Sequence, residues 1–241
     1  MKVLVVLTNF KRPDNNRKIV QAFKRQSHQP ENTILLDFNG DIDGMDCEIW
    51  RYPDPGGPAC RFAPIVVAHK YDYILWHDDD LLPGDKCIEH YIDNAKKLND
   101  KFATLGCVGR RFTYSDSRVE YVSRNLRLRR QPVWVDMTCR SHFVRADLAH
   151  HALRYMSEAK PFIDESELII HDDFWLCLGI RYATRHASHL VRKVDDMASH
   201  SPRLEDLPHE GVGVSRDGSF IRRRNQILTA LRSRGLMNWQ T

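Results

Sequence analysis

An apolar strand that runs directly into consecutive aspartates is the feature that most constrains this chain. Residues 71–76 are mostly apolar or aromatic, and His77 is followed by Asp78, Asp79 and Asp80. Three adjacent carboxylates beside a buried strand are costly, because like charges repel and each carboxylate loses solvation. A hard divalent cation relieves both costs, since Mg²⁺ and Mn²⁺ favour carboxylate oxygens. The pattern therefore favours a metal-dependent ligand site at a strand end over a solvated acidic turn.

Short runs rich in β-branched residues alternate with helical patterns over the first half of the chain. Strands are predicted at residues 3–7, 32–38, 71–76 and 102–108. This alternation is typical of an α/β fold with a mostly parallel central sheet flanked by helices. The second half is less regular, and its main helices are predicted at residues 147–156, 172–182 and 220–234.

The composition excludes several classes of protein. The 241 residues are 42% hydrophobic with a net charge of +4, which excludes a disordered chain and a disulfide-knot scaffold. Six cysteines are scattered without a Cys-x-x-Cys pair, so we expect them to be reduced and mostly buried. No run is long enough for a signal peptide core or a membrane span, so the expected location is the cytoplasm of a bacterium or an infected host cell.

The aspartate run and the segments around it resemble the GT-A glycosyltransferases, most closely the family-2-like and exostosin-like members. Residues 78–80 are similar to the DXD motif of these enzymes. The resemblance covers most of residues 1–195 and implies a GT-A (Rossmann-like) fold in a single compact domain. The other segments that match in order are residues 8–14, 35–40, 57–62 and 135–145.

This resemblance implies a metal-dependent glycosyltransferase. It would move a sugar from a nucleotide sugar, expected to be UDP-linked, to an acceptor hydroxyl. Asp80 and Asp78 would hold Mn²⁺ or Mg²⁺, and the cation would neutralise charge that grows on the departing diphosphate. The resemblance also implies a metal ligand from the C-terminal part of the chain. His200 is the expected residue, and His209 and His189 are the alternatives.

Basic and polar side chains beside these segments are candidates for binding the nucleotide sugar. Glycines in residues 211–218 precede a run of arginines, which suits a lid over a diphosphate, and the alternative is a solvated basic helix. The predicted nucleotide-sugar-binding residues are Thr8, Arg12, Asp37, Asn39, Arg61, Asp78, Asp79, Arg216 and Arg222.

A second acidic pair, Asp172 and Asp173, opens a predicted helix. Aspartate at a helix N-terminus has an ordinary explanation in capping and in compensation of the helix dipole. The GT-A resemblance implies a catalytic role as well. Asp173 matches the base that deprotonates the acceptor, and Asp172 would hold sugar or acceptor hydroxyls, although the two roles could be exchanged. Trp175 either stacks on a sugar or packs in the core.

The acceptor is left open by the sequence. Residues 110–134 contain seven arginines and two acidic residues, which suits either a groove for phosphates or a solvated face. The acceptor is therefore a glycan or, as in phage enzymes of this fold, a hydroxymethylated base in DNA. A sugar nucleotidyltransferase and a non-catalytic metal or nucleic-acid-binding module are the alternative functions. We expect a nucleotide-sugar-binding half at 1–109, an acceptor-binding and catalytic half at 110–200, and a lid loop with a basic helix at 201–241.

Overall fold

A large sheet organises the part of the chain that the structure, a computed structural model, describes: residues 1–52, 58–115, 118–122, 132–191, 205–206 and 219–239. Within these residues, the main sheet has eight strands and is accompanied by a three-stranded and a two-stranded sheet. The strands are β1 (Val3–Asn9), β2 (Asn32–Asp37), β3 (Glu48–Arg51), β4 (Tyr73–His77), β5 (Leu81–Leu82), β6 (Leu105–Gly106), β7 (Val108–Tyr114), β8 (Val119–Val122), β9 (Val133–Val135), β10 (Met137–Cys139), β11 (Ser141–Arg145), β12 (Ser188–Leu190) and β13 (Glu205–Asp206).

Parallel pairing places several strand ends at one edge of the main sheet. The strand order is β3-β2-β1-β4-β11-β6-β12-β9. Strand β1 pairs in parallel with β2 and β4, whereas β11 runs antiparallel to β4. The carboxyl ends of β1, β2 and β4, at Asn9, Asp37 and His77, therefore meet at the edge where open α/β sheets bind ligands. The same edge receives Asp78–Asp80 directly after β4.

Helices cover both faces of this sheet, so β1 is apolar on both sides. Val3, Val5 and Leu7 join a core that includes residues of α1 and α2, whereas Leu4 and Val6 join a core that includes residues of α3, α5 and α6. The helices are α1 (Pro13–Lys24), α2 (Cys87–Lys97), α3 (His150–Ala159), α4 (Glu165–Ile170), α5 (Asp172–Thr184) and α6 (Phe220–Ser233), with 3₁₀ helices at Pro58–Lys70 and Ala146–Leu148.

The sheet confirms the predicted fold class. Its strands come from both halves of the chain, because β11, β6, β12 and β9 continue the sheet that β1 to β4 begin. The result is one α/β domain with a mostly parallel sheet flanked by helices.

The strand predicted at residues 102–108 is much shorter in the structure. The chain is closely packed around Gly106, where this short strand ends. Strand β6 contains only Leu105 and Gly106, and β7 begins at Val108. A Cβ atom on Gly106 would lie 2.6 Å from the Cβ of Thr138 and 2.7 Å from the carbonyl oxygen of Ser141. The β10–β11 segment therefore approaches β6 too closely for any larger residue at this position.

The structure also bears on the predictions for the cysteines, for Trp175 and for membrane-spanning helices. The cysteines are free, and four of the six are buried, as expected. Trp175 is fully buried and donates its Nε1–H to the carbonyl of Leu168, so it packs in the core and does not stack on a sugar. Among the helices that the structure describes, none is long and apolar enough to cross a membrane.

Candidate active site

The turn after β4 is surrounded by arginines. Arg12, at the start of α1, donates from Nη1 to Oδ1 of Asp79, and the same nitrogen lies 3.9 Å from Oδ2 of Asp80. Arg140 Nη2 contacts Asp80 Oδ1 at 2.9 Å. Burial raises the pKa of Asp79, although Arg12 opposes the shift. The predicted residues Arg12, Asp79 and Asp80 are thus brought together, and Arg140 joins them.

The backbone at Arg140 has an unusual conformation that allows this residue to contact both ends of the turn. Its φ of 64° lies in the left-handed region, which non-glycine residues seldom adopt. In this conformation its carbonyl accepts a hydrogen bond of 2.8 Å from the backbone N–H of Asp78, while its guanidinium reaches Asp80. One residue therefore fixes both ends of the aspartate run. Strain of this kind concentrates at functional sites.

Arg61 joins the two acidic clusters that the sequence places far apart. Its Nη2 donates to Asp78 Oδ1 at 2.7 Å, and its Nη1 donates to Asp172 Oδ2 at 2.6 Å. The Arg61 side chain is only 7% exposed; its partner Asp172 is 10% exposed, whereas Asp78 is 28% exposed and remains in contact with water. Burial raises the pKa of Asp78 to about 6 and also raises the pKa of Asp172, in each case against the opposing charge of Arg61.

Asp173 has different partners. Its Oδ1 accepts a hydrogen bond of 2.8 Å from His142 Nε2, and its Oδ2 lies 3.4 Å from Arg224 Nη2. Burial alone would raise the pKa of Asp173, but the hydrogen bond and charge of His142, together with Arg224, hold it well below its usual range. Asp172 and Asp173 are therefore distinguishable, because Asp172 is linked through Arg61 to Asp78 and Asp173 is bonded to His142.

Arg224 of α6 faces Asp173, whereas Arg222, predicted to bind the nucleotide sugar, lies on another side of this helix. Arg222 is exposed and lines a groove of about 1050 Å³ together with Arg118 and Asn225. Arg224, two residues later, lies about 200° further round the helix. It is buried between the rings of Phe174 and Phe220, at 4.8 and 4.3 Å.

Predicted residues at the end of β2 have a structural role in the turn. Asp37 is fully buried, and its Oδ1 accepts bonds from the Asn9 side chain, the Asn39 N–H and the Gly40 N–H, at 2.9, 3.2 and 3.1 Å. Asp37 shapes the loop that leaves Asn39 exposed at the sheet edge. Thr8, at the end of β1, pairs with Leu36 and accepts a bond from Asn16 at its carbonyl.

The donor chemistry at Asp78 and Asp80 fits a hard cation, since both supply carboxylate oxygens. Among the described residues, no three histidine, cysteine or acidic side chains converge as a complete metal site. Asp78 and Asp80 are the described residues that would hold such a cation. His200, His209 and Arg216 lie outside the described residues. The glycines of residues 211–218 and most arginines of residues 110–134 also lie outside them.

Arg140, His142 and Arg224 were not predicted as site residues from the sequence. His142 is 1% exposed on β11, where alternation predicts only a buried strand position. A buried histidine among apolar strand neighbours was an available signal, because such a residue requires a polar partner. The available signal for Arg224 was its helical phase relative to Phe220 and Ile227, which are both buried.

Comparison with known proteins supports the fold. No family model matches the chain, and no curated protein matches it. TarS 1–349 of S. aureus in complex with UDP is similar with a TM-score of 0.50 and 11% identity, over 79% of this chain and 58% of that one. A second TarS structure gives 0.49 and 11% identity, over 80% of this chain and 35% of that one. The chain thus spans less than two thirds of these proteins, and the shared feature is the GT-A-like α/β fold.

Proposed function

We propose that this protein is a glycosyltransferase that moves a sugar from a nucleotide sugar to an acceptor hydroxyl. The observation that carries the proposal is Arg61, which pairs with Asp78 and with Asp172 at the ligand-binding edge of the sheet. A donor site and an acceptor-activating carboxylate must be adjacent for group transfer, and Arg61 places the two acidic clusters side by side. The GT-A-like fold supports the same function.

On the donor side, UDP is the nucleotide that we propose, because the structurally similar TarS 1–349 was solved in complex with UDP. Asp78 and Asp80 would hold Mn²⁺ or Mg²⁺, and such a cation stabilises the negative charge of a departing diphosphate. Arg12 and Arg140 already lie beside these aspartates, and their guanidinium groups suit phosphate oxygens. Thr8 and Asn39, at the ends of neighbouring strands, are the candidates for the nucleoside.

On the acceptor side, Asp173 is the proposed base. The acceptor oxygen bonds to the anomeric carbon as the bond from that carbon to the diphosphate breaks, and its electron pair leaves with the diphosphate. The acceptor proton passes to Oδ2 of Asp173, whose Oδ1 is held by His142. Asp172, fixed by Arg61, would hold sugar or acceptor hydroxyls. An available base favours inversion of configuration.

The acceptor is a glycan or a hydroxymethylated DNA base. Arg118 and Arg222 line the same groove between β8 and α6 together with Glu120, which leaves a net positive charge on its lining. Such a groove suits an acceptor that carries phosphates. A screen with both acceptor classes, repeated at increasing salt, separates the alternatives, since transfer to DNA weakens steeply as salt rises.

Thermal melts with UDP, with and without Mn²⁺, test the donor site. Ligand at about 100 times its Kd adds about 2.7 kcal/mol, which raises the Tm of a domain this size by roughly 5–10 °C. We expect Asp80→Asn to lose the metal-dependent part of the shift and Asp173→Asn to retain it. Absence of a shift with UDP, GDP or CMP would contradict the donor assignment.

Turnover tests the reaction itself. Asp173→Asn is expected to lower kcat by about 10²–10⁴-fold, because the acceptor loses its base. Transfer that is unchanged in Asp173→Asn would exclude this base and favour a non-catalytic module. Release of pyrophosphate from UTP and a sugar phosphate would instead identify a nucleotidyltransferase.

A further inference from the structure

A row of buried polar side chains runs from Asp173 into the core of the sheet. His142 Nε2 contacts Asp173 Oδ1 at 2.8 Å, and His142 Nδ1 contacts Thr138 Oγ1 at 2.7 Å. Thr138 Oγ1 in turn lies 2.9 Å from Thr104 Oγ1, which donates to Ser188 Oγ at 2.8 Å. Thr104, Thr138 and Ser188 are fully buried, and His142 is 1% exposed. These groups therefore exchange hydrogen bonds with one another and not with bulk water.

The partners of the two ring nitrogens favour a doubly protonated histidine. Each hydroxyl has a single proton to donate. With Thr104 donating to Ser188 and Thr138 donating to Thr104, His142 Nδ1 is the donor to Thr138. Cys177 Sγ lies beside the same groups, 3.4 Å from Thr104 Oγ1, 3.5 Å from Thr138 Oγ1 and 3.9 Å from His142 Nδ1. An ionised carboxylate only accepts, so His142 Nε2 is the donor to Asp173.

We propose that His142 is a positioning residue that acts as a buried imidazolium, keeping Asp173 ionised and directing its Oδ2 toward the acceptor. This inference rests on the proposed function, because it assigns His142 a role through the proposed base. Oδ1 of Asp173 accepts the short hydrogen bond from His142, whereas Oδ2 has, within the part of the chain that the structure describes, the longer contact of 3.4 Å to Arg224. The proton of an acceptor hydroxyl would therefore pass to Oδ2.

The electrostatic surroundings agree with a charged pair. Burial alone would lower the pKa of His142, but hydrogen bonds and charge interactions with Asp173 and Cys177 outweigh it and raise that pKa to about 10. The other titratable or charged groups that act on the pair from the elements packed around it include Arg61, Asp78, Cys139, His171, Asp172, Cys177 and Arg224. Arg61 and Arg224 favour an ionised Asp173, and Asp173 in turn keeps His142 protonated.

Nitrogen-15 NMR of the histidine rings tests the charge state without any substrate. We expect His142 to show two ring N–H protons and imidazolium shifts at neutral pH, and Asp173→Asn to convert it to the neutral ring. His151 is a matched control, because burial and neighbouring cations lower its pKa, and its ring should be neutral in both proteins. A neutral His142 ring in the wild type would overturn the inference even if His142 variants fail to fold.

Kinetics of single and double variants test the positioning role. His142→Gln is expected to lower kcat about a hundredfold, with the donor KM unchanged, because Asp173 loses its orientation and its counter-charge. The His142→Gln/Asp173→Asn double variant should equal Asp173→Asn within about twofold, since both changes act on one base. His151→Gln, on α3, is the matched control and should retain wild-type kcat.

The outcomes separate the two proposals. Multiplicative losses in the double variant, or wild-type kcat in His142→Gln, would refute the positioning role while the glycosyltransferase proposal stands. A wild-type protein that turns over no nucleotide sugar would refute the proposed function, and with it the role of His142 in that reaction. The NMR experiment would then still decide whether the His142–Asp173 pair is charged.

Discussion

Replacing Arg61 with methionine tests whether one buried cation holds the two acidic clusters together. Methionine retains much of the side-chain volume but leaves Asp78 and Asp172 without their shared partner. Removing one partner of a buried ion pair typically costs about 3–5 kcal/mol, because the remaining charge stays buried without compensation. The total stability of a domain is about 5–15 kcal/mol, so the loss should be large in urea denaturation at neutral pH.

The pH dependence makes this prediction specific to the carboxylates. The pKa of Asp78 in the folded protein is already raised to about 6, above the usual value of 3.8, so its ionisation destabilises the fold as pH rises through this range. Without Arg61 the folded-state pKa values of Asp78 and Asp172 should rise further. The penalty of Arg61→Met should therefore be greatest at neutral pH and should shrink as pH falls and both carboxyls become protonated.

A surface arginine supplies the control for this experiment. Arg145 forms a bidentate pair with Asp147, but the side chains are 35% and 61% exposed. Arg145→Met should cost about 0–1 kcal/mol, as is usual for an exposed pair. The reasoning would be refuted by an Arg61→Met penalty no larger than that of Arg145→Met, or by one that does not change between neutral and mildly acidic pH.

Three other changes test different parts of the structure. Arg224→Met should lower transferase turnover about tenfold or more, while Arg222→Met should leave kcat unchanged with a small uncharged acceptor; equal effects would contradict the helical phase of α6. Gly106→Ala should cost about 1–3 kcal/mol in urea denaturation, because its Cβ would overlap Thr138, and a neutral result would mean that β10 shifts freely. The raised pKa of His142 contributes stability that is complete below pH 6.5 and is lost as pH rises toward about 10. Wild-type stability should thus fall by about 1.4 kcal/mol per pH unit in this range relative to His142→Gln, and parallel curves would contradict it.

The strand pattern was sufficient to predict the fold class and the position of Asp78–Asp80 at a strand end. The run at residues 3–7 is apolar at every position, which requires helices on both faces, and the structure places α1 and α2 on one face and α3, α5 and α6 on the other. Asp78–Asp80 follow β4 at the ligand-binding edge, because parallel strands end on the same side of a sheet. These features depend on local periodicity, which a single sequence records directly.

The partners of the acidic residues could not be predicted in the same way. Arg61 and Asp172 are 111 positions apart, and His142 on β11 reaches Asp173 because helix α5 packs on the sheet beside β10. Strand order and side-chain rotamers are global properties, so spacing along the chain does not encode which arginine meets which carboxylate. Position 106 is a further example. It requires glycine because Thr138, on another strand, leaves no room for a Cβ atom.

The sequence by itself therefore determined that this protein is an α/β domain with an acidic strand end, because hydrophobic periodicity and charge clustering are local. Only the tertiary structure decided that Arg61 joins the two acidic clusters, that Arg224 and not Arg222 faces Asp173, and that His142 lies behind the proposed base. The physical reason is that buried charges are stable only beside a partner, and the partner is chosen by packing across the sheet.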